Sequence, residues 1–154
     1  MGVVLFVGRF QPFHRGHKHA IEKLQKRYEK VNIVISGPKK LDKKNPFSFA
    51  LRRKMIVSSL KHKNYKIFIV PDVDSDTEWT KTIMKKMNFD VVVTGSSWVK
   101  RCFVGIKPVK RPDFLERRKY NATRIRRLMR RGKPWKRLVP RSVASMIKVE
   151  DVKR

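Results

Sequence analysis

Apolar and polar positions alternate along this chain in two distinct rhythms. Residues 3–7, 67–70 and 91–93 are short, continuous apolar runs of the kind that fill buried strands, residues 31–35 form another broken only by Asn32, and residues 106–109 form a weaker fifth candidate. Between them the apolar positions recur at helical spacing: Ala20, Ile21, Leu24 and Tyr28, then Leu51, Met55, Ile56 and Leu60, then Trp79, Ile83, Met84 and Met87. Strands that alternate with helices need crossover connections. They predict an α/β protein with a Rossmann-like parallel sheet flanked by helices on both faces. Beyond that sheet, a helix is expected to run from Asn121 to a stop at Gly132, with Ile125, Leu128 and Met129 facing inward. Pro140 then opens a last helix carrying Val143, Met146 and Ile147. No linker, repeat or low-complexity stretch interrupts residues 1–154, which read as a single domain with a C-terminal helical part from about 121. Residues 39–44 are the most loop-like, and mobility without ligand is expected there.

The strand-to-helix junction after residue 7 carries the candidate chemistry. Its sequence is Gly8-Arg9-Phe10-Gln11-Pro12-Phe13-His14-Arg15-Gly16-His17. At such a junction, unpaired backbone N–H groups point outward and the helix dipole favours an anion. His14 and His17, three residues apart, lie on one side of the first helical turn, and Gly16 offers backbone without a Cβ. That combination suits phosphate. Two other readings stay open: a structural role for the pair, or half a metal site with His19. Zinc would want further ligands, and the chain has only four histidines and one cysteine, Cys102.

GRFQPFHRGH resembles the first motif of the archaeal-type nicotinamide-nucleotide (NMN) adenylyltransferases, within the nucleotidyltransferase superfamily that carries an HxGH signature. The likeness continues in order through Asn45-Pro46-Phe47 with Arg52, through Asp72 and Trp79, through Thr94-Gly95, and through Tyr120-Asn121-Ala122-Thr123-Arg124-Ile125-Arg126. Residues 133–139, with Trp135 inside, are similar to the family's next segment. Departures are Asn121 and Ala122 for a family Ser-Gly, Ser96-Ser97 for Asn-Pro, and Asp76 for an Asn. Asn is as good a helix cap as Ser, whereas Ala122 adds a methyl where a nucleotide should approach. Asp76 can attract a cationic ring and cannot donate to a carboxamide oxygen as an amide can.

The resemblance implies the HxGH nucleotidyltransferase fold and transfer of AMP from ATP to NMN, giving NAD and pyrophosphate. It implies catalytic roles for His14, His17, Arg9 and Arg126. ATP would meet Gly8, Arg9, Phe10, His14, Gly16, His17, Gly95, Asn121, Thr123 and Arg126. The acceptor would meet Phe13, Asn45, Phe47, Arg52, Asp76 and Trp79. Mg²⁺ would arrive on the phosphates rather than in a carboxylate cage, with Lys44 and Arg52 as further phosphate partners. Trp79 has two readings, stacking on a pyridinium ring or packing in the core. The same chemistry with pantetheine phosphate or a flavin nucleotide, or a basic RNA-binding derivative of the fold, are the alternatives.

Charge adds a separate observation. Forty Lys and Arg against twelve Asp and Glu give a net +28, with Arg124, Arg126, Arg127, Arg130 and Arg131 crowded on one helix. Such a surface is expected to touch nucleic acid non-specifically at low salt; a solvated basic face is the plainer reading. The first apolar run is too short and lacks the basic lead of a signal peptide, Met1-Gly2 lacks the residue that myristoylation needs, and a single cysteine fits a reducing compartment. The expectation is a cytoplasmic protein without membrane contact, in which the Asn121-Ala122-Thr123 sequon is silent. The resemblance also allows a homo-oligomer.

Overall fold

A computed structural model describes residues 2–153. The apolar runs become five strands: β1 (Val3–Gly8), β2 (Lys30–Ile35), β3 (Tyr65–Ile69), β4 (Val91–Val93) and β5 (Val109–Lys110). They form one parallel sheet in the order β3-β2-β1-β4-β5. The crossovers are the helices α1 (Arg15–Arg27), α2 (Phe49–Ser59), α3 (Asp76–Lys86) and α4 (Ser97–Phe103). The expected α/β sheet is therefore present. The fifth strand is the short pair at 109–110 rather than 106–109, and α4 is a helix that the apolar spacing did not predict. Ser96 starts it by accepting from the Val99 N–H at 3.3 Å.

The strand period of two sorts the side chains into two cores. Val4 and Phe6 of β1 join one cluster, with Ala20, Ile21 and Leu24 of α1 and Met55 and Ile56 of α2. Leu5 and Val7 join the other, with Trp79 and Ile83 of α3 and Val99 and Phe103 of α4. Burying both faces explains why these strands read as continuous apolar runs rather than as alternating ones.

Two further helices, α6 (Arg141–Met146) and α7 (Val149–Val152), follow α5 (Ala122–Arg130). Residues 140–147 were expected to carry one closing helix; Ile147 instead ends α6 in an extended conformation before α7. α5 covers the first core through Ile125 and Met129. Its crowded arginines are largely held by backbone carbonyls. Arg124 Nη1 donates to Lys119 O at 3.1 Å, Arg126 Nη1 to Gln11 O at 2.7 Å, and Arg130 Nε to Val152 O at 3.0 Å. Arg130 also donates to the carbonyl of Lys43, tying the 38–46 loop to α5. Among the described residues no helix is long and apolar enough to cross a membrane.

Candidate functional site

Strand order reverses at β1, whose neighbours β2 and β4 are reached by crossovers in opposite directions. Such a switch point opens a crevice at the carboxyl ends of the strands. Two adjoining cavities occupy it. The first, of about 230 Å³, is lined by Gly8, His14, Gly16 and His17 on one side and by Thr94, Gly95, Phe114 and Tyr120 on the other. The second, of about 390 Å³, is lined by Arg9, His17, Lys44, Asn45, Thr123 and Arg126. His17 and Ala122 belong to both walls.

His14 is the N-cap of α1 rather than a residue of its first turn. Its Nδ1 accepts from the N–H groups of Gly16 and His17, at 3.0 and 3.4 Å. His17 Nδ1 in turn accepts from the His14 N–H at 3.1 Å. This is the capping box of Ser/Thr with Glu/Gln, built from two imidazoles. The rings stack, with centroids 3.6 Å apart and an interplanar angle of 24°. A nitrogen that accepts a hydrogen bond carries no proton, so each ring keeps its hydrogen on Nε2 and offers it as a donor. Burial pushes the His14 imidazole down to about 3. Burial, and next the neighbouring His14, push His17 well below the ordinary histidine range. At neutral pH both donors are uncharged.

Phe10 adopts φ 53°, a left-handed conformation that ordinary side chains avoid. It swings the ring back over Gly8 and against His17, with ring centroids 4.9 Å apart. Phe13 lies along the His17 ring at 5.6 Å and is fully buried. Three glycines leave room for rings. A Cβ on Gly8 would stand 2.7 Å from the Phe10 ring, one on Gly16 2.9 Å from the His14 ring, and one on Gly95 2.7 Å from the Phe114 ring.

On the cationic side, Arg9 Nη2 pairs with Asp72 Oδ2 at 3.0 Å, and its Nη1 donates to Asn45 Oδ1 at 3.3 Å. Asn45 is itself steadied by Asp42, which accepts from its Nδ2 at 3.0 Å. Arg126 is buried, with its Nε lacking a partner. Burial, followed by the charge of Arg130, lowers its pKa. Asn121 caps α5 by accepting from the Arg124 N–H at 2.8 Å, and its amide also donates to Arg117 O at 2.9 Å. A serine would have to accept and donate through a single hydroxyl, whereas Asn121 divides the two tasks between Oδ1 and Nδ2.

Of the six residues expected at the acceptor only Asn45 lines either cavity; Phe13 is buried behind the His17 ring, and four others are committed elsewhere. Arg52 is 1% exposed, and its Nη1 donates to the carbonyls of Arg9 and Ser36 at 2.6 and 2.7 Å. It clamps the two strand exits together, and its guanidinium is spent on the backbone. Burial, with Arg9's charge, brings it down to about 10. Phe47 is 1% exposed, its backbone paired with the Gln11 amide at 2.9 and 3.1 Å. Trp79 is likewise 1% exposed, its Nε1 donating to Val70 O at 3.4 Å and its ring covered by Trp98 at 4.5 Å. Core packing is the reading that this geometry bears out. Asp76 is exposed, yet its Oδ1 accepts from Trp98 Nε1 at 2.9 Å. Neither Asp76 nor Trp79 lines the two cavities.

Sequence reasoning missed Phe114 and Tyr120 as cavity walls. Phe114 lies between guanidiniums, Arg117 at 3.9 Å and Arg111 at 5.4 Å from its ring centre. The only available signal was an aromatic flanked by arginines in an irregular segment, which fixes no position. His19 pairs with Asp113 at 3.6 Å, and no group of three metal-ligating side chains occurs among the described residues.

The chain matches the cytidylyltransferase-like family over residues 5–134. It is 38% identical to a nicotinamide-nucleotide adenylyltransferase of Thermococcus kodakarensis, over 94% of this chain and 81% of that protein. A protein of the same name from Pyrococcus furiosus is 39% identical, over 94% of this chain and 81% of its own length. Among solved structures, a bifunctional NMN adenylyltransferase/ADP ribose pyrophosphatase of Francisella tularensis, complexed with AMP and a manganese ion, superposes with a TM-score of 0.78 at 26% identity. That match covers 98% of this chain and 51% of the bifunctional protein.

Proposed function

Because this chain belongs to the cytidylyltransferase-like family, and within it to the nicotinamide-nucleotide adenylyltransferases, we infer that it transfers AMP from ATP to NMN, forming NAD and pyrophosphate. The observation that carries the reading is the paired imidazole cap, which leaves two neutral Nε2–H donors, one on His14 in the wall of the first cavity and one on His17 in the wall shared by both.

The reaction needs no side-chain nucleophile. An oxygen of the NMN phosphate attacks the α-phosphorus of ATP, the bond from that phosphorus to the bridging oxygen breaks, and the electron pair leaves with pyrophosphate. The obstacle is charge, since two unit charges at 4 Å repel by about 4 kcal/mol at an effective dielectric near 20. His14 and His17 donate to oxygens of the α- and β-phosphates, where negative charge grows in the transition state. Neutral donors fixed in advance by the helix start need no reorganisation at that moment. Arg9, Lys44, Thr123 and Arg126 receive the polyphosphate in the second cavity, and the unpaired Nε of Arg126 gains a partner there. Phe114, Tyr120 and Gly95 flank the nucleoside in the first. Arg9, oriented by Asp72 and Asn45, meets the acceptor phosphate. Arg52 positions Arg9 through its carbonyl.

Mg²⁺ enters as the complex with ATP. The nearest carboxylates are already committed: Asp72 to Arg9 and the Gly37 N–H, and Asp42 to Asn45 and the Lys44 N–H. The ion would therefore be held mainly by phosphates and water and would supply charge neutralisation there, in keeping with its reluctance to dehydrate.

The test is a turnover assay with ATP and Mg²⁺ against NMN, nicotinic acid mononucleotide, pantetheine phosphate and flavin mononucleotide, following pyrophosphate release. NMN should be the preferred acceptor. Turnover with pantetheine phosphate or the flavin nucleotide and none with NMN would overturn the assignment.

A further inference from the structure

A third cavity, of about 650 Å³, lies across Tyr120 from the first; Tyr120 lines both. Its rim carries Lys119, Arg124, Lys133, Lys136 and Arg137 and no carboxylate. Among the described residues none of these five cations is in an ion pair. The rim backbone is nonetheless fixed. Lys119 O accepts from Arg124, the Lys133 N–H donates to Leu128 O at 2.9 Å, and Arg137 O accepts from Arg15 Nε at 2.9 Å. Tyr120, Pro134, Trp135 and Leu138 give the cavity an apolar floor, and Lys119 Nζ stands 5.3 Å from the centre of the Tyr120 ring.

Five like charges around one concavity repel one another and raise the local potential by several kT, a field that draws in an anion. The floor says which kind. Inorganic polyphosphate has nothing to lay on an apolar surface. An anionic bilayer is flat and cannot enter a concavity. A duplex keeps its bases stacked inside. A single strand offers phosphates to the rim and unstacked bases to the floor, the combination that basic grooves with aromatic walls recognise. The geometry points to this groove as a binding site for single-stranded nucleic acid, adjoining the reaction centre and separate from it. The transferase reading is not a premise of this assignment, and NAD formation serves as an independent readout.

The experiment measures fluorescence anisotropy of a labelled oligouridylate across a salt series. The wild-type chain is compared with Lys119→Gln/Lys133→Gln/Lys136→Gln and with a control, Lys61→Gln/Lys63→Gln/Lys85→Gln, whose exposed lysines lie outside the groove. Each phosphate contact contributes about 0.7 to the logarithmic salt slope for a single strand. Losing three lowers the slope by about 2 and weakens binding about 100-fold at 0.1 M salt, relative to a fully screened reference near 1 M. The control should move far less, and both variants should still form NAD, showing that they fold. Equal losses in the two variants would mean that affinity is spread over the whole basic surface, which overturns the site. Competition by inorganic polyphosphate as effective per phosphate as the oligonucleotide, or displacement by ATP, would also overturn it. So would groove-dependent binding of phosphatidylserine vesicles without binding of the oligonucleotide.

Discussion

His14 has two tasks, and His14→Asn separates them. As the N-cap of α1 it accepts from two backbone N–H groups; as a wall of the first cavity it offers its Nε2 hydrogen. Asparagine matches the best N-caps and so preserves the helix start, while its shorter amide falls short of the position of Nε2. Unfolding in urea should therefore show a loss of about 1 kcal/mol from the missing ring contact, within the usual range for a single substitution. Turnover at saturating ATP and NMN should fall about 10²- to 10³-fold, equivalent to roughly 2.7–4 kcal/mol for one preorganised donor. His14→Ala should add a cap loss of about 1 kcal/mol to the same kinetic defect. A pH series completes the test. The folded imidazole sits near 3, whereas an unfolded one titrates near 6.5. Between those values the unfolded chain binds a proton that the folded chain refuses, so stability is full above pH 6.5 and declines as pH falls below it. At 1.36 kcal/mol per unit, wild type should lose about 2 kcal/mol from this residue between pH 6.5 and pH 5, and His14→Asn should not. A kcat within threefold of wild type in His14→Asn would refute the catalytic role and leave His14 as a cap alone.

Ala122→Gly removes the methyl that faces both cavities, and the Michaelis constant for ATP should fall severalfold; an unchanged or higher constant would show that the methyl does not intrude. Trp79→Ala should cost about 3–5 kcal/mol of stability, as expected for an aromatic cut out of a packed core. A selective rise in the NMN Michaelis constant with stability intact would restore Trp79 to the acceptor site. Arg52→Ala strips donors from the carbonyls of Arg9 and Ser36. It should lower stability by at least about 2 kcal/mol in urea unfolding, and a pure binding defect with no loss of stability would contradict its assignment as a clamp.

The parallel sheet was legible because buried strands are apolar on both faces and the helices between them keep a clean period, as Val4 and Leu5 show by entering opposite cores. The histidine pair at a helix start was legible too, since strand, glycine and histidine spacing together describe such a start. What linear spacing hid is competition for side chains inside the fold. Arg52 and Trp79 occupy positions that the family resemblance assigns to the acceptor, and the nearest carbonyls and rings claimed both. The same holds for the surplus charge on α5. Arg126 and Arg130 point to carbonyls brought in from other segments, those of Gln11 and Val152, and no local pattern announces such partners. α4 escaped notice because its seven residues are too few to display a period. Phe114 escaped because irregular segments carry none, and Tyr120, though inside the 120–126 motif, was given no wall position by it.

The two imidazoles are locked through amides that belong to a single turn of α1. Fraying of that one turn releases the hydrogen bonds of both rings together, so the pair of donors proposed to hold phosphate is lost as a unit. On warming, the proposed donor pair should therefore be lost while the sheet beneath is still intact, because helix ends open before buried strands do.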